Sequence, residues 1–278
     1  MRITQLIIVI IIFSTTTITS AQEKLKGNKI LTSENRAISD FTKIEVIDDL
    51  NVILTYSEDQ SVTVETDSNL QSTILTTVKN DILSIRTEQV IGRNKGLNIY
   101  INVNKNITEI NTYNSATITS NNALIIDNLS INAFDSSQIN LKLNSQDITI
   151  IGKSATKLNC EILSTNTTIK LVGYSQLKGA INTKIIFLKL IDKAAITING
   201  IANELDLEAY GKTAYNGKDF TTKNASIKAN NDSKIYINST EKLNLYSNNE
   251  TEIHIYSNPE IIVHEFYDKA IIRKKELN

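Results

Sequence analysis

The stretch Leu129-Ser130-Ile131, Ile139-Asn140-Leu141, Ile148-Thr149-Ile150, Leu158-Asn159-Cys160 decides the fold. Each unit reads apolar-polar-apolar, a short polar tip, then apolar-polar-apolar. The unit returns at Leu188-Lys189-Leu190 with Ile196-Thr197-Ile198, at Ala225-Ser226-Ile227 with Ile235-Tyr236-Ile237, and at Leu243-Asn244-Leu245 with Ile253-His254-Ile255. The first apolar residue of each copy falls at Ile110, Leu129, Ile148, Ile169, Leu188, Leu205, Ala225, Leu243 and Ile261, which is 151 residues over eight steps, or about 19 per step. A fixed period of this size marks a stacked repeat. Within a unit the second segment starts six or eight residues after the first ends, as from Leu190 to Ile196 and from Ile131 to Ile139. Both offsets are even, so a tip can lose two residues without turning the next strand inside out.

The residues between the apolar positions are Asn111, Ser130, Thr149, Lys170, Lys189, Asp206, Ser226 and Asn244 in the first segment, and Asn140, Asn159, Lys178, Thr197 and Asn216 in the second. Period-2 alternation with a polar outer face is the signature of a half-buried strand. A 19-residue unit with two short strands cannot bury its own apolar face, whereas stacked units bury a continuous column. The chain is therefore predicted to be all-β: a parallel β-solenoid (β-helix) of about nine coils, roughly 40 Å long at the usual strand spacing. Ile131, Ile150, Leu171, Leu190, Leu207, Ile227 and Leu245 are expected in one inward stack. Asn at the tips (Asn121-Asn122, Asn128, Asn144, Asn199, Asn230-Asn231, Asn248-Asn249) suits corners, because Asn tolerates left-handed backbone angles. Pro259 is the sole proline, so nothing else interrupts coil-to-coil hydrogen bonding.

Residues 1–21 have the form of a signal peptide: Arg2, an apolar run from Leu6 to Phe13, and the small-residue site Thr19-Ser20-Ala21. No later stretch has the apolar length of a membrane helix. Residues 22–40 are polar and aperiodic, which predicts a linker or frayed arm. Residues 41–105 carry longer, less regular strands, such as Leu50 to Tyr56 and Leu97 to Val103, and are expected to cap one end of a single solenoid domain spanning 41–278, with the repeats at 106–273. At the far end Arg273-Lys274-Lys275-Glu276 would blunt the last coil by charge. Cys160, the only cysteine, excludes an internal disulfide and reads as a small buried core residue.

Several segments together resemble a known family: Asn35 to Val46 (Asn-Arg-Ala-Ile-Ser-Asp-Phe-Thr-Lys-Ile-Glu-Val), Leu50 to Leu54, Asn80 to Ile85, Leu97 to Ile101, and Ile107 to Ala116. They are similar to the bacterial secreted family named putative autotransporter adhesin, head GIN domain, over about residues 35 to 270. The resemblance implies a β-helical domain of the bacterial envelope or exterior, mostly of Bacteroidetes type, with adhesion proposed by the name and no ligand identified. The family often places glycine-rich tips where this chain has Asn114-Ser115-Ala116, Asp135-Ser136-Ser137 and Lys153-Ser154-Ala155.

The residues themselves offer little chemistry. His254 and His264 are the only histidines. Both are expected on the surface, with no cysteine or carboxylate spacing to make them metal ligands. The phosphate-loop, dinucleotide-binding and calcium-roll glycine patterns are absent. No metal or cofactor is expected. Asp192, Asp206, Asp219 and Asp232 lie in neighbouring coils at different offsets, whereas a glycan-cleaving site wants acids converging within about 5–10 Å. Charges balance, 29 basic against 30 acidic residues, so no basic stripe for nucleic acid arises.

Aromatic residues punctuate the tips: Tyr113, Phe134, Tyr174, Tyr210, Tyr246, Phe266 and Tyr267. They either fold over corners as packing or form a loose row that stacks on sugars or anchors a protein. The expected function is a non-enzymatic, exported binding or structural module. Its partner would be a glycan or protein of the envelope or exterior, with Tyr174, Tyr210 and Tyr246 as the candidate contacts. A carbohydrate-active enzyme on the same scaffold is the alternative, and it would rest on fold analogy.

Overall fold

The computed structural model describes residues 24–276. The expected leader and its cleavage site at Ala21 lie outside them. The chain winds into a parallel β-solenoid with a period of about 19 residues. Two inward columns define it. One runs Leu83, Ile44, Ile110, Ile131, Ile150, Ile169, Leu188, Leu207, Ile227, Leu245, Val263. The other runs Ile99, Val52, Ile118, Ile139, Leu158, Leu177, Ile196, Tyr215, Ile235, Ile253, Ile272. From Ile110 onward each column has nine members, one per coil. Stacking in register buries both inner faces while the backbone ladder runs along the rod.

The expected inward stack is corrected at two positions. Leu171 and Leu190 do not join Ile131 and Ile150. They form the adjacent inward column with Gly152 and Ala209, and Ile169 and Leu188 take their places. The cause is Thr167, which lies inward and buried, aligned with Ile148 and Ile186. Counting apolar residues skips a threonine and sets the start of the unit two residues late. A slip of two keeps every side chain on its own face, so the fold follows all the same.

Six successive coils turn one corner with a single left-handed residue, Asn114, Asp135, Ser154, Gly173, Asp192 and Gly211, with φ between 59° and 93°, and the last three use a left-handed pair, Asn231-Asp232, Asn249-Glu250 and Asp268-Lys269. Asn therefore shares this corner with Asp, Ser and Gly, and Asn144 and Asn199, expected at corners, lie in strands instead. Behind the turn stands a buried column of small residues, Ala116, Ser137, Thr156, Ser175, Ala194, Thr213, Ser233 and Thr251. Several of their hydroxyls donate to the carbonyl three residues back: Ser137 to Phe134 (2.6 Å), Ser175 to Val172 (2.8 Å) and Thr251 to Asn248 (2.6 Å). The other corner uses the same device across coils. Thr183 Oγ1 lies 3.0 Å from the carbonyl of Thr165 and 3.2 Å from that of Ile185, and Thr222 repeats the arrangement with Asn203 and Asn224. Carbonyls that a corner removes from the ladder thus keep partners.

The N-terminal region departs from the sequence reading. Strand Leu31–Arg36, in the segment expected to be a linker, pairs antiparallel with Ser61–Asp67, which pairs antiparallel with Leu97–Val103. Its polar character reflects an edge strand with mostly exposed side chains. Parallel stacking also begins before residue 106: Lys43–Val46 and Asn51–Tyr56 lie between residues 82–103 on one side and 109–120 on the other. The antiparallel hairpins then close that end. At the other end, among the described residues, the last strands, Glu260–Phe266 and Ile271–Lys274, each pair on one side only. Cys160 is fully buried, and burial pushes its thiol up to about 12.

Candidate functional site

The outer surface of the first strands carries the densest side-chain chemistry. Register sets three outward columns there: Phe187, Asp206, Ser226 and Asn244; Lys170, Lys189, Glu208, Lys228 and Tyr246; and Val172, Ile191, Tyr210 and Asn230. Lys189 bonds Glu208 at 2.6 Å and lies 5.4 Å from the centre of the Tyr210 ring. Tyr246 stacks on His264 with ring centres 4.5 Å apart, and His264 Nε2 lies 3.1 Å from Asn244 Oδ1. Tyr210 and Tyr246 flank a shallow groove of about 310 Å³ that Lys228, Asn230, Asn248 and Glu265 complete.

The three candidate tyrosines occupy three positions around the coil. Tyr210 and Tyr246 share the groove. Tyr174 stands apart on the turn, 61% exposed, where Lys193 Nζ bonds its hydroxyl at 2.8 Å and lies 4.8 Å from the ring centre. Tyr113 and Phe134 stack on each other at 5.1 Å, with Lys153 over Phe134.

His254 corrects the expectation of two solvated histidines. Its position is outward, as expected, but it is 5% exposed and stacks on Tyr236 at 4.6 Å. The long side chains of the outer column cover it. Glu252 Oε1 lies 3.0 Å from Nε2, but Arg273 also engages that oxygen. Burial, with Lys275 and Lys234 nearby, holds the His254 pKa below its ordinary value.

Two groupings of acids escaped the sequence reading. Asp232, Glu250 and Asp268 meet at the turn corner of the last coils, around a 380 Å³ depression also lined by Asn231, Asn249 and Lys269. Their signal was present as the turn dipeptides Asn231-Asp232, Asn249-Glu250 and Asp268-Lys269, spaced 18 and 19 residues apart. Lys269 bonds Glu250 at 2.7 Å and Lys212 lies 3.7 Å from Asp232. Lys269 holds the Glu250 carboxyl below its usual range, the opposite of what a general acid needs. The second grouping is Asp206 and Glu208, on one face of one strand. Burial, despite Lys228, raises the Asp206 carboxyl, and Glu208 adds to the rise. Among the described residues no cluster of three or more His, Cys, Asp or Glu is arranged to hold a metal, and no helix is long and apolar enough to cross a membrane.

Set against known proteins, the chain matches the family model described as "Putative auto-transporter adhesin, head GIN domain" twice, over residues 40–161 and 145–259. The two matches overlap at residues 145–161 and together span residues 40–259. No curated protein matches. Among solved structures the fold is similar to a putative adhesin from Parabacteroides distasonis (16% identity, TM-score 0.67, covering 91% of this chain and 100% of that one). It is also similar to a putative adhesin from Parabacteroides merdae (16%, 0.65, 92% and 100%). A third likeness is to a putative lipid binding protein from Parabacteroides distasonis (18%, 0.64, 91% and 100%). At these identities the likeness is one of fold.

Proposed function

The chain belongs to the putative auto-transporter adhesin, head GIN domain family, and from that premise we propose that it is an exported, non-catalytic module that binds an extended glycan of the cell envelope or its surroundings. The observation that carries this reading is the groove between Tyr210 and Tyr246, where two aromatic rings sit among the side chains of Lys228, Asn230, Asn248 and Glu265. Ring faces cover the apolar side of a sugar, and amides and charges meet its hydroxyls. The groove opens onto a long regular outer face, which is the form repeat proteins use for extended contacts. Tyr174 would be an outlying contact two coils away, useful to a long ligand and irrelevant to a short one.

The test is a glycan and envelope-extract binding screen on the purified protein. Tyr210→Ala and Tyr246→Ala are each expected to weaken binding about tenfold, the size of one lost stacking contact, with little change in melting. A loss of stability with binding intact would make the rings corner packing and place the ligand elsewhere. Binding only to protein components of the extract would replace the glycan with a protein partner.

One observation favours the alternative of glycan cleavage on the same face. Asp206 and Glu208 stand about 7 Å apart by strand geometry, within the range of a carboxylate pair, and Asp206 is the one whose pKa is raised. Against it, Glu208 is committed to Lys189 at 2.6 Å. Turnover of a polysaccharide that Asp206→Asn abolishes would decide for the enzyme.

A further inference from the structure

The two ends of the rod differ. Antiparallel hairpins close the N-terminal end, and at the C-terminal end the core columns run out into solvent. Ile261 and Val263 continue the columns of Leu243 and Leu245, yet they are 42% and 47% exposed, and Phe266, in register with Ser247, is 46% exposed. In the preceding coil Leu243 and Leu245 are fully buried. Among the described residues, the strands Glu260–Phe266 and Ile271–Lys274 also leave one row of backbone N–H and C=O groups without ladder partners. An edge of this kind, apolar on its inner side and unpaired along its backbone, is a template for another strand.

Charge selects the occupant. The strand Glu260–Phe266 places Glu260 and Glu265 on the outer side, whereas Ile271–Lys274 and the next residue place Arg273, which also engages Glu252, and Lys275 there, with Lys274 in register with the inward Ile255. A two-fold axis perpendicular to the rod that exchanges the two strand positions brings the acidic strand of one copy against the basic strand of the other. It reverses the direction of winding, so the facing strands run antiparallel and their hydrogen bonds can form. Isologous pairing of this kind repeats each favourable contact twice. The other two-fold, which sets each strand against itself, opposes like charges. We propose that the open C-terminal end is a homotypic interface, on which a second copy of this chain docks end to end with Glu260–Phe266 of each copy against Ile271–Lys274 of the other. The basic residues that blunt this edge against a random strand then act as its specificity element.

Sedimentation velocity on the purified protein, over about 1 to 100 μM, tests this. The expected result is a shift from monomer to dimer, with an elongated frictional ratio consistent with a doubled rod. Glu260→Lys, outside the groove and facing the Lys275 end of the partner strand, sets like charges against each other and should shift the association at least about tenfold towards monomer. Combining Glu260→Lys with Lys275→Glu should restore it, because the charges are exchanged rather than removed. All the positions are exposed, so circular dichroism and melting should be unchanged, and Val263→Lys, an exposed end position, gives an independent disruption. A monomer throughout the range would overturn the proposal. So would a dimer indifferent to both Glu260→Lys and Val263→Lys, since it would use another surface. Failure of glycan binding would leave these results untouched, because they do not depend on the groove.

Discussion

At the scale of single residues, the inner columns show where an alternating pattern can be read and where it misleads. Ile, Leu and Val positions were legible because burial demands them. Thr167 was not, because an inward threonine looks like an outward one until its neighbours are known. Tyr215 keeps the pattern, since Asn216 beside it takes the outward position, but its hydroxyl gives no sign of full burial. It reads as a polar-tipped aromatic, yet it fills the inward column between Ile196 and Ile235 and is fully buried, with no hydrogen-bond partner for its hydroxyl. Gly217 makes the room, since a Cβ there would meet the Tyr215 hydroxyl at 2.2 Å. Removing an unpaired buried hydroxyl relieves its desolvation cost, so Tyr215→Phe should leave stability unchanged or raise it by up to about 1 kcal/mol in a denaturant titration. A loss of more than that would mean the hydroxyl is bonded. His254 yields a pH prediction. Its folded pKa is lowered, by burial first and then by Lys275 and Lys234. Its contribution is therefore fully present above the ordinary histidine range and is lost as pH falls through it, with Glu252 and Arg273 the other charged groups at hand. Melting temperature should fall between about pH 7.5 and pH 5.5, and His254→Phe, which keeps a ring on Tyr236, should remove that slope. An unchanged slope in the variant would assign it to carboxylates elsewhere.

At the scale of the element, the unit is one coil: two strand segments, a left-handed turn, and corners stapled by hydroxyls. The strands were legible from period 2 and the coil from period 19, because burial imposes both on every copy. The turn chemistry was only partly legible. Many residues tolerate one left-handed position, so Asn marked some corners while Asp, Ser and Gly held others. The N-terminal strands were the least legible. Their stacking order differs from chain order, with residues 82–103 lying outside residues 43–56, and no fixed spacing records such a reversal. Substitutions at the two kinds of position should differ sharply. Leu190→Asp buries an unpaired charge in a closed column and should unfold the rod. Gly211→Ala meets φ of 93° and a Cβ contact of 2.8 Å with the carbonyl oxygen of Asp192, which should cost about 1–3 kcal/mol and leave the fold intact. Thermal melts followed by circular dichroism separate the outcomes. A Leu190→Asp protein with unchanged melting would contradict the inward placement of that side chain.

At the scale of the whole molecule, the rod is a one-dimensional stack in which each coil touches its neighbours. The candidate groove depended on details below the resolution of the repeat. Tyr210 and Tyr246 stand two coils apart and two strand positions out of register, on either side of the coil that carries Lys228 and Asn230, while Tyr174 lies apart on the turn. Stability should also vary along the axis, because interior coils gain two interfaces and terminal coils one. Native-state hydrogen exchange is expected to be slowest around Ile150, Ile169, Leu188 and Leu207, slow at the hairpin-closed end, and fastest in the strands Glu260–Phe266 and Ile271–Lys274. The open end adds a concentration dependence to that gradient. Backbone N–H groups along its free edge have no ladder partner among the described residues of a single copy and gain one if two copies pair antiparallel. Protection of residues 260–274 should then rise between dilute and concentrated samples while the interior stays constant. A profile equal at both ends and unmoved by concentration would show that the last coil is as well satisfied alone as the hairpin-closed end, and the contrast between the two ends would lose its physical basis.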